Sequence, residues 1–353
     1  MFALINNWFK RYFSDPQIVF LVLFLLAVLA IVISFNDMMT PVFAAIVLAY
    51  LMEGVITKIQ NYVAHRLFVV IVVYIFFLSA LLVAVFGFTP LLWEQATQLI
   101  KETPNNIQQG KQLLLNLPEK YAFITEQNVS QIIEYIQLEI TLLGRKVLTF
   151  SLSSIQDSVT IIIYLILVPL LIFFFLKDKK IILHWFTSFL PDERQLSRSV
   201  WVEMDLQIGN YVRGKFWEIL IVGIASYIAF SLLGLKYSLL LAFLVGLSVV
   251  VPYIGATVVT FPVALVGFFQ WGWTGDFAWL MIAYAIIQGI DGNVIVPLLF
   301  SEVVNIHPVA IIVAVLFFGG IWGFWGVFFA IPLATLINSV LHAWPVDDTS
   351  IDT

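Results

Sequence analysis

Eight apolar stretches dominate this chain: Ile18–Phe35, Pro41–Ile56, Leu67–Leu92, Ile155–Leu176, Ile219–Leu235, Ser238–Phe269, Ala278–Phe300 and Pro308–Leu341. A helix rises about 1.5 Å per residue, so a hydrocarbon layer about 30 Å thick is crossed by roughly 20 apolar residues. Helices that are apolar all round are not surface helices of a soluble domain. Charged residues make up 11% of the chain and apolar ones 61%, against roughly 25% charged in a soluble domain. The composition excludes a soluble globular enzyme and a disordered chain. A net charge of −5 offers no basic surface to nucleic acid. The absence of cysteine excludes disulfides, thiolate chemistry and cysteine-ligated metals. The expected fold is an all-α polytopic membrane protein with about eight transmembrane segments.

The runs differ in quality. Ile18–Phe35 follows Lys10-Arg11 but is too long for a signal peptide and lacks a small-residue cleavage site. Pro252 and Pro262 interrupt Ser238–Phe269, and Asp291 and Pro297 interrupt Ala278–Phe300. Pro308–Leu341 has 34 residues, about 50 Å as one straight helix. It must tilt, bend or fold back, and Gly319, Gly320, Gly323 and Gly326 are where it can bend. Segments in the C-terminal half are therefore expected to be broken or re-entrant, and both Ser238–Phe269 and Pro308–Leu341 can either cross or return.

Lysine and arginine in short loops set orientation. With eight crossings, Lys10, Arg11, Lys58, Arg66, Lys177, Lys179, Lys180, Arg194, Arg198, Arg213 and Lys215 share one face, against Lys236 alone on the other. This bias puts both termini in the cytoplasm. No lysine or arginine follows Lys236, so the remaining segments take their topology from those before them.

The expected organisation is an N-terminal three-span unit (1–92), a periplasmic helical region (93–154), a fourth span (155–176), a cytoplasmic amphipathic connector (177–215), a C-terminal transport core with broken helices (216–342) and an acidic cytoplasmic tail (343–353). In the periplasmic region Ile132, Ile133, Ile136, Ile140 and Leu143 recur at helical spacing. That stripe fits a helical cap packed on itself, a subunit contact, or both. The connector opens with Lys177-Asp178-Lys179-Lys180. Leu190-Pro191-Asp192-Glu193 then reads as a helix start, and Leu196, Val200, Met204, Ile208 and Tyr211 or Val212 form one apolar stripe.

Chemistry concentrates at Asp291. A carboxylate at membrane depth costs about 2.5–3.5 kcal/mol even on insertion scales. Glu53, Glu218, Asp276 and Glu302 escape that cost near run ends, whereas Asp291 lies deep within a run. Tyr284, Gln288 and Asp291 fall at i, i+4 and i+7 on one helix face. Gly289 and Gly292 flank the carboxylate, Asn293 follows, and Pro297 removes a backbone donor. This is the pattern of a cation, proton or polar-substrate site at a broken helix, or of a carboxylate held across the bundle by hydrogen bonds.

Pro252-Tyr253-Ile254-Gly255 breaks a second run. Val249-Val250-Val251-Pro252 echoes Val294-Ile295-Val296-Pro297, and paired proline-interrupted segments of opposite direction point to a transporter site. Gly319 and Gly323 have the small-xxx-small spacing of tight helix packing or a hinge, and Pro332 kinks the segment further.

No zinc-protease, P-loop or dinucleotide-binding signature is present. His65, His184, His307 and His342 are scattered near run ends, unlike a metal site. No metal, cofactor or catalytic residue is expected, and transport could not be ATP-driven by this chain alone.

Four stretches resemble the autoinducer-2 exporter family, and within it the PerM-type permeases. They are Leu190-Pro191 leading to Tyr211-Val212-Arg213-Gly214-Lys215, then Pro252-Tyr253-Ile254-Gly255, then Gln288 through Asp291-Gly292-Asn293 to Pro297, and Gly319-Gly320 through Gly323 and Gly326 to Ala330-Ile331-Pro332. The family more often has glutamate where this chain has Asp291. The resemblance implies an eight-span inner-membrane transporter that assembles as a homo-oligomer, such as a pentamer. It also implies export of a signalling molecule such as autoinducer-2, or sodium(lithium)/proton exchange.

The combined expectation is an ion-coupled secondary transporter of a small polar solute, with membrane lipid, the solute or ion, and further copies of the chain as partners. Asp291 is its proton- or cation-sensing group. Gln288, Asn293 and Tyr284 supply hydrogen bonds, and the breaks at Pro252, Tyr253, Gly255 and Pro297 expose backbone. A passive channel and a non-transporting scaffold are the rival readings.

Overall fold

The computed structural model describes residues 34–115, 154–188, 195–300 and 307–342, with isolated positions at 30 and between 127 and 138. Every regular element among the described residues is helical. The elements are α1 (Asn36–Gln60), α2 (Arg66–Val83), a π-turn (Ala84–Phe88), α3 (Thr89–Leu115), α4 (Ser154–Lys177), α5 (Lys179–Thr187), α6 (Gln195–Leu232), α7 (Ser238–Ser248), α8 (Ile254–Trp271), α9 (Gly275–Ile290), a second π-turn (Asp291–Ile295), α10 (Val296–Phe300), α11 (Pro308–Phe328) and α12 (Ala330–His342). Six helical stretches are long and apolar enough to cross a bilayer, and the bent pair α4–α5 makes a seventh. The chain is an all-α polytopic membrane protein. Most of Ile18–Phe35, the Ile132–Leu143 stripe and Leu190–Glu193 lie outside the described residues.

Proline places both π-turns. In each, the five-residue turn is followed by one residue and then proline: Thr89 and Pro90, Val296 and Pro297. Proline has no N–H for the carbonyl four residues back and crowds it. The chain responds by widening one turn, so that Thr89 N–H bonds to the Ala84 carbonyl and Val296 N–H to that of Asp291. Helix continuity survives, and Gly275–Phe300 remains one candidate span.

Helix α6 joins two stretches that read separately in the sequence. The amphipathic part of the connector and the run from Ile219 are one uninterrupted 38-residue helix, about 57 Å long. Its candidate span is Val202–Leu232.

The run Ser238–Phe269 is a hairpin. Helix α7 has 11 residues, about 16 Å, too short to cross. The chain breaks at Val249–Tyr253, where Tyr253 takes φ +63°, and returns along α8. At Gly255 the backbones touch: a Cβ there would overlap the Ser248 carbonyl. The far end closes through Gln270, which accepts from Lys236 N–H and donates to the Gly234 carbonyl, both at 2.8 Å. The hairpin therefore ends where it began.

Pro308–Leu341 is broken too. Pro308 starts α11 at a position where its missing N–H is not needed, and His307 Nδ1 accepts from Val309 N–H as the cap. The helix ends its regular course at Gly323, whose φ of +59° turns the chain back. Behind the turn, Gly326 lies against the Phe318 carbonyl and Gly319 against Val327. Gly320 has no such close neighbour. Pro332 stands third in α12, in a first turn that lacks intrahelical acceptors, so it begins a helix rather than kinking one.

The described residues cluster into two compact units. The first takes those up to Tyr74, Leu167–Gly214 and those from Leu299 onward. Here Glu53 pairs with Arg66 at 3.0 Å and Lys179 at 3.4 Å, and Arg66 donates to the Leu176 carbonyl. Phe43 of α1 packs on Trp322, Trp325 and Phe329. The second unit takes Ile75–Ile166 and Lys215–Leu298. Its core is Val222, Phe230, Leu241, Val245, Val263, Leu280 and their neighbours. Gln95 of α3 accepts from Leu240 N–H, and Glu102 accepts from Tyr237.

Candidate functional site

The face predicted on α9 points inward. Tyr284 is buried, Gln288 half-buried, and Asp291 only 8% exposed at the head of the π-turn. The Tyr284 hydroxyl donates to the Ala256 carbonyl at 2.9 Å and lies 3.0 Å from Thr260 Oγ1, which ties α9 to α8. Asp291 Oδ1 and Gln288 Nε2 are buried and have no hydrogen-bond partner among protein atoms.

Two residues join this face from α6. Lys215 is 4% exposed and Glu218 2%. Lys215 Nζ lies 2.8 Å from Glu218 Oε2, and it donates to the Val249 carbonyl at 2.8 Å. That carbonyl is available because α7 ends there: Pro252 and the left-handed Tyr253 stop the helix from continuing. Asp291 interacts electrostatically with Lys215, and Glu218 with Asp291. All three ionisable groups lie within stretches long and apolar enough to cross a membrane.

Other predicted site residues fall elsewhere. Asn293 is exposed and donates to the Gly289 carbonyl of its own helix. Tyr253 is 57% exposed. Pro297 is exposed and Pro252 half-buried. Pro252 and Pro297 act through backbone, one freeing the Val249 carbonyl and the other setting the π-turn. Gly255 is a buried point of helix contact. The valine–proline echo has no structural counterpart, since Pro252 lies in a break between helices and Pro297 in a continuous one. The pair that does match in structure is Pro90 and Pro297.

Lys215 and Glu218 escaped the sequence reading, which placed Lys215 in a cytoplasmic connector and Glu218 near a run end. The usable signal was the apolar stripe Met204, Ile208, Tyr211 and Val212, which meets the run at Ile219 with no proline between. A helix continuing through that junction buries whatever charge lies there, and Lys215 and Glu218 at i and i+3 share a face.

Among the described residues no group of three or more histidine or acidic side chains could hold a metal ion. What the arrangement offers is two carboxylates and one ammonium in an apolar interior, with polar amide and hydroxyl groups on the same helix face.

Comparison with known proteins gives concordant matches. The family model described as "AI-2E family transporter" matches residues 18–346. The chain is 44% identical over 346 residues to the "Putative permease PerM" of Escherichia coli K12, covering 98% of each chain. It is 25% identical to the "Putative transport protein YueF" of Bacillus subtilis, over 94% of this chain and 92% of the relative. A second B. subtilis relative, "Putative transport protein YrrI", is 24% identical over 85% of each chain.

Proposed function

The chain belongs to the AI-2E transporter family, and on that premise we propose that it is an ion-coupled secondary transporter of a small polar solute, a signalling molecule such as autoinducer-2 being one candidate. The observation that carries this reading is the buried Asp291 carboxylate, partnerless at Oδ1 and within electrostatic reach of the buried Lys215–Glu218 pair. Uncompensated charge at membrane depth is expensive and marks ion or substrate pathways. Asp291 is the coupling group, and Gln288 Nε2 is the donor offered to the solute. The working form is an inner-membrane homo-oligomer with both termini cytoplasmic.

Reconstitution into proteoliposomes tests the reading. With an imposed pH gradient, wild-type protein moves autoinducer-2, or exchanges sodium or lithium for protons, as followed by solute uptake and an internal pH dye. Asp291→Asn inserts and folds but loses gradient-driven flux. Undiminished flux in Asp291→Asn makes Asp291 structural and overturns the proposal.

A further inference from the structure

We propose that Lys215, Glu218 and Asp291 act as one proton-binding unit with a fixed charge count: the Lys215 ammonium offsets one carboxylate, and a single proton on the other carboxylate completes neutrality. This rests on the ion-coupled reading above and names its coupling ion.

The argument is one of charge in an apolar interior. Each of the three groups is at least nine-tenths buried, and the sole cation among them is committed on two sides, to Glu218 Oε2 and to the Val249 carbonyl. Two carboxylates against one ammonium leave one negative charge over. A buried ionised group without a counter-charge neutralises instead. On the second carboxylate, Asp291 Oδ1 is buried and has no hydrogen-bond partner among protein atoms. The Val249 carbonyl at the pair is taken by Lys215, and among the described residues no group of three or more histidine or acidic side chains could hold a metal ion.

Several charged and titratable groups on the surrounding elements bond away from these three residues. Tyr284 bonds to Ala256 and Thr260, Glu102 to Tyr237 and Lys236, and Glu94 to Gln98. Asp276 stands in the first turn of α9, far along the helix from Asp291. Arg213, two residues before Lys215, donates to Asn210.

The test is infrared spectroscopy of the purified full chain in lipid at neutral pH, reading the protonated-carboxyl band, which solvated carboxylates do not contribute. Wild type shows the band of one buried carboxylic acid. Asp291→Asn and Glu218→Gln each leave one carboxylate beside the ammonium, and both abolish it. Lys215→Met doubles it and Lys215→Arg leaves it unchanged. The double variants Lys215→Met with Glu218→Gln, and Lys215→Met with Asp291→Asn, restore the wild-type amplitude, which keeps the test decisive if Lys215→Met alone fails to fold. A band that survives in both single carboxyl variants overturns the proposal. So does an amplitude indifferent to Lys215, or a wild-type band that sodium removes at constant pH. The readout needs no transported solute. Loss of flux in Asp291→Asn with the wrong band pattern sinks the proton count alone, and the right pattern with intact flux sinks the transport reading alone.

Discussion

Gly255 and Gly292 have the same side chain and opposite surroundings. A Cβ at Gly255 meets the Ser248 backbone, whereas one at Gly292 meets nothing within 4 Å. Backbone cannot rotate away as a side chain can, so Gly255→Ala forces α7 and α8 apart and destabilises by about 1–3 kcal/mol. Gly292→Ala removes an entropic penalty in a helix and stabilises by about 0.5–1 kcal/mol. Thermal melts of the detergent-purified variants should move in opposite directions. At this scale the sequence was informative where periodicity decides. Tyr284, Gln288 and Asp291 were legible because their spacing fixes a shared face. Asn293 does not share that face: it is exposed, and its amide donates to the Gly289 carbonyl of its own helix. Lys215 and Glu218 were hidden because charge ordinarily marks the end of a span, and here it lies inside one.

At the scale of elements the two proline-placed π-turns invite a paired experiment. Pro297→Ala restores a donor for the Asn293 carbonyl, so the turn can revert to α geometry and rotate Asp291 relative to Val296. Gradient-driven flux in proteoliposomes should fall. Pro90→Ala makes the same backbone change beside Phe86, Gly87 and Phe88, where no ionisable side chain is present, and should leave flux near wild type. Equal effects of the two would show that Pro297 matters only for folding. Helix existence was legible nearly everywhere, because long apolar runs leave the backbone no partner but itself. Helix ends were less so. The break at Pro252 and the turn at Gly323 were visible as residues, but whether a broken run crosses or returns depends on contacts such as Gln270 with Gly234 and Lys236.

For the whole molecule, the returning hairpin changes the count of crossings. Strict alternation of eight spans would put Lys236 and Thr274 on opposite faces. The closure at Gln270 puts them on the same one, and the chain's lack of cysteine makes the question directly measurable. Lys236→Cys and Thr274→Cys, made singly, should both react with a membrane-impermeant maleimide from the same side. Labelling from opposite sides would refute the hairpin. The α11–α12 segment likewise turns back at Gly323. Helix α6 has a mechanical corollary. It runs without a break from Gln195 to Leu232 and holds Lys215 and Glu218 near its midpoint. A hydrogen-bonded helix holds its side chains in fixed angular register, so any turn of this segment about its own axis carries the ammonium and its acidic mate round together.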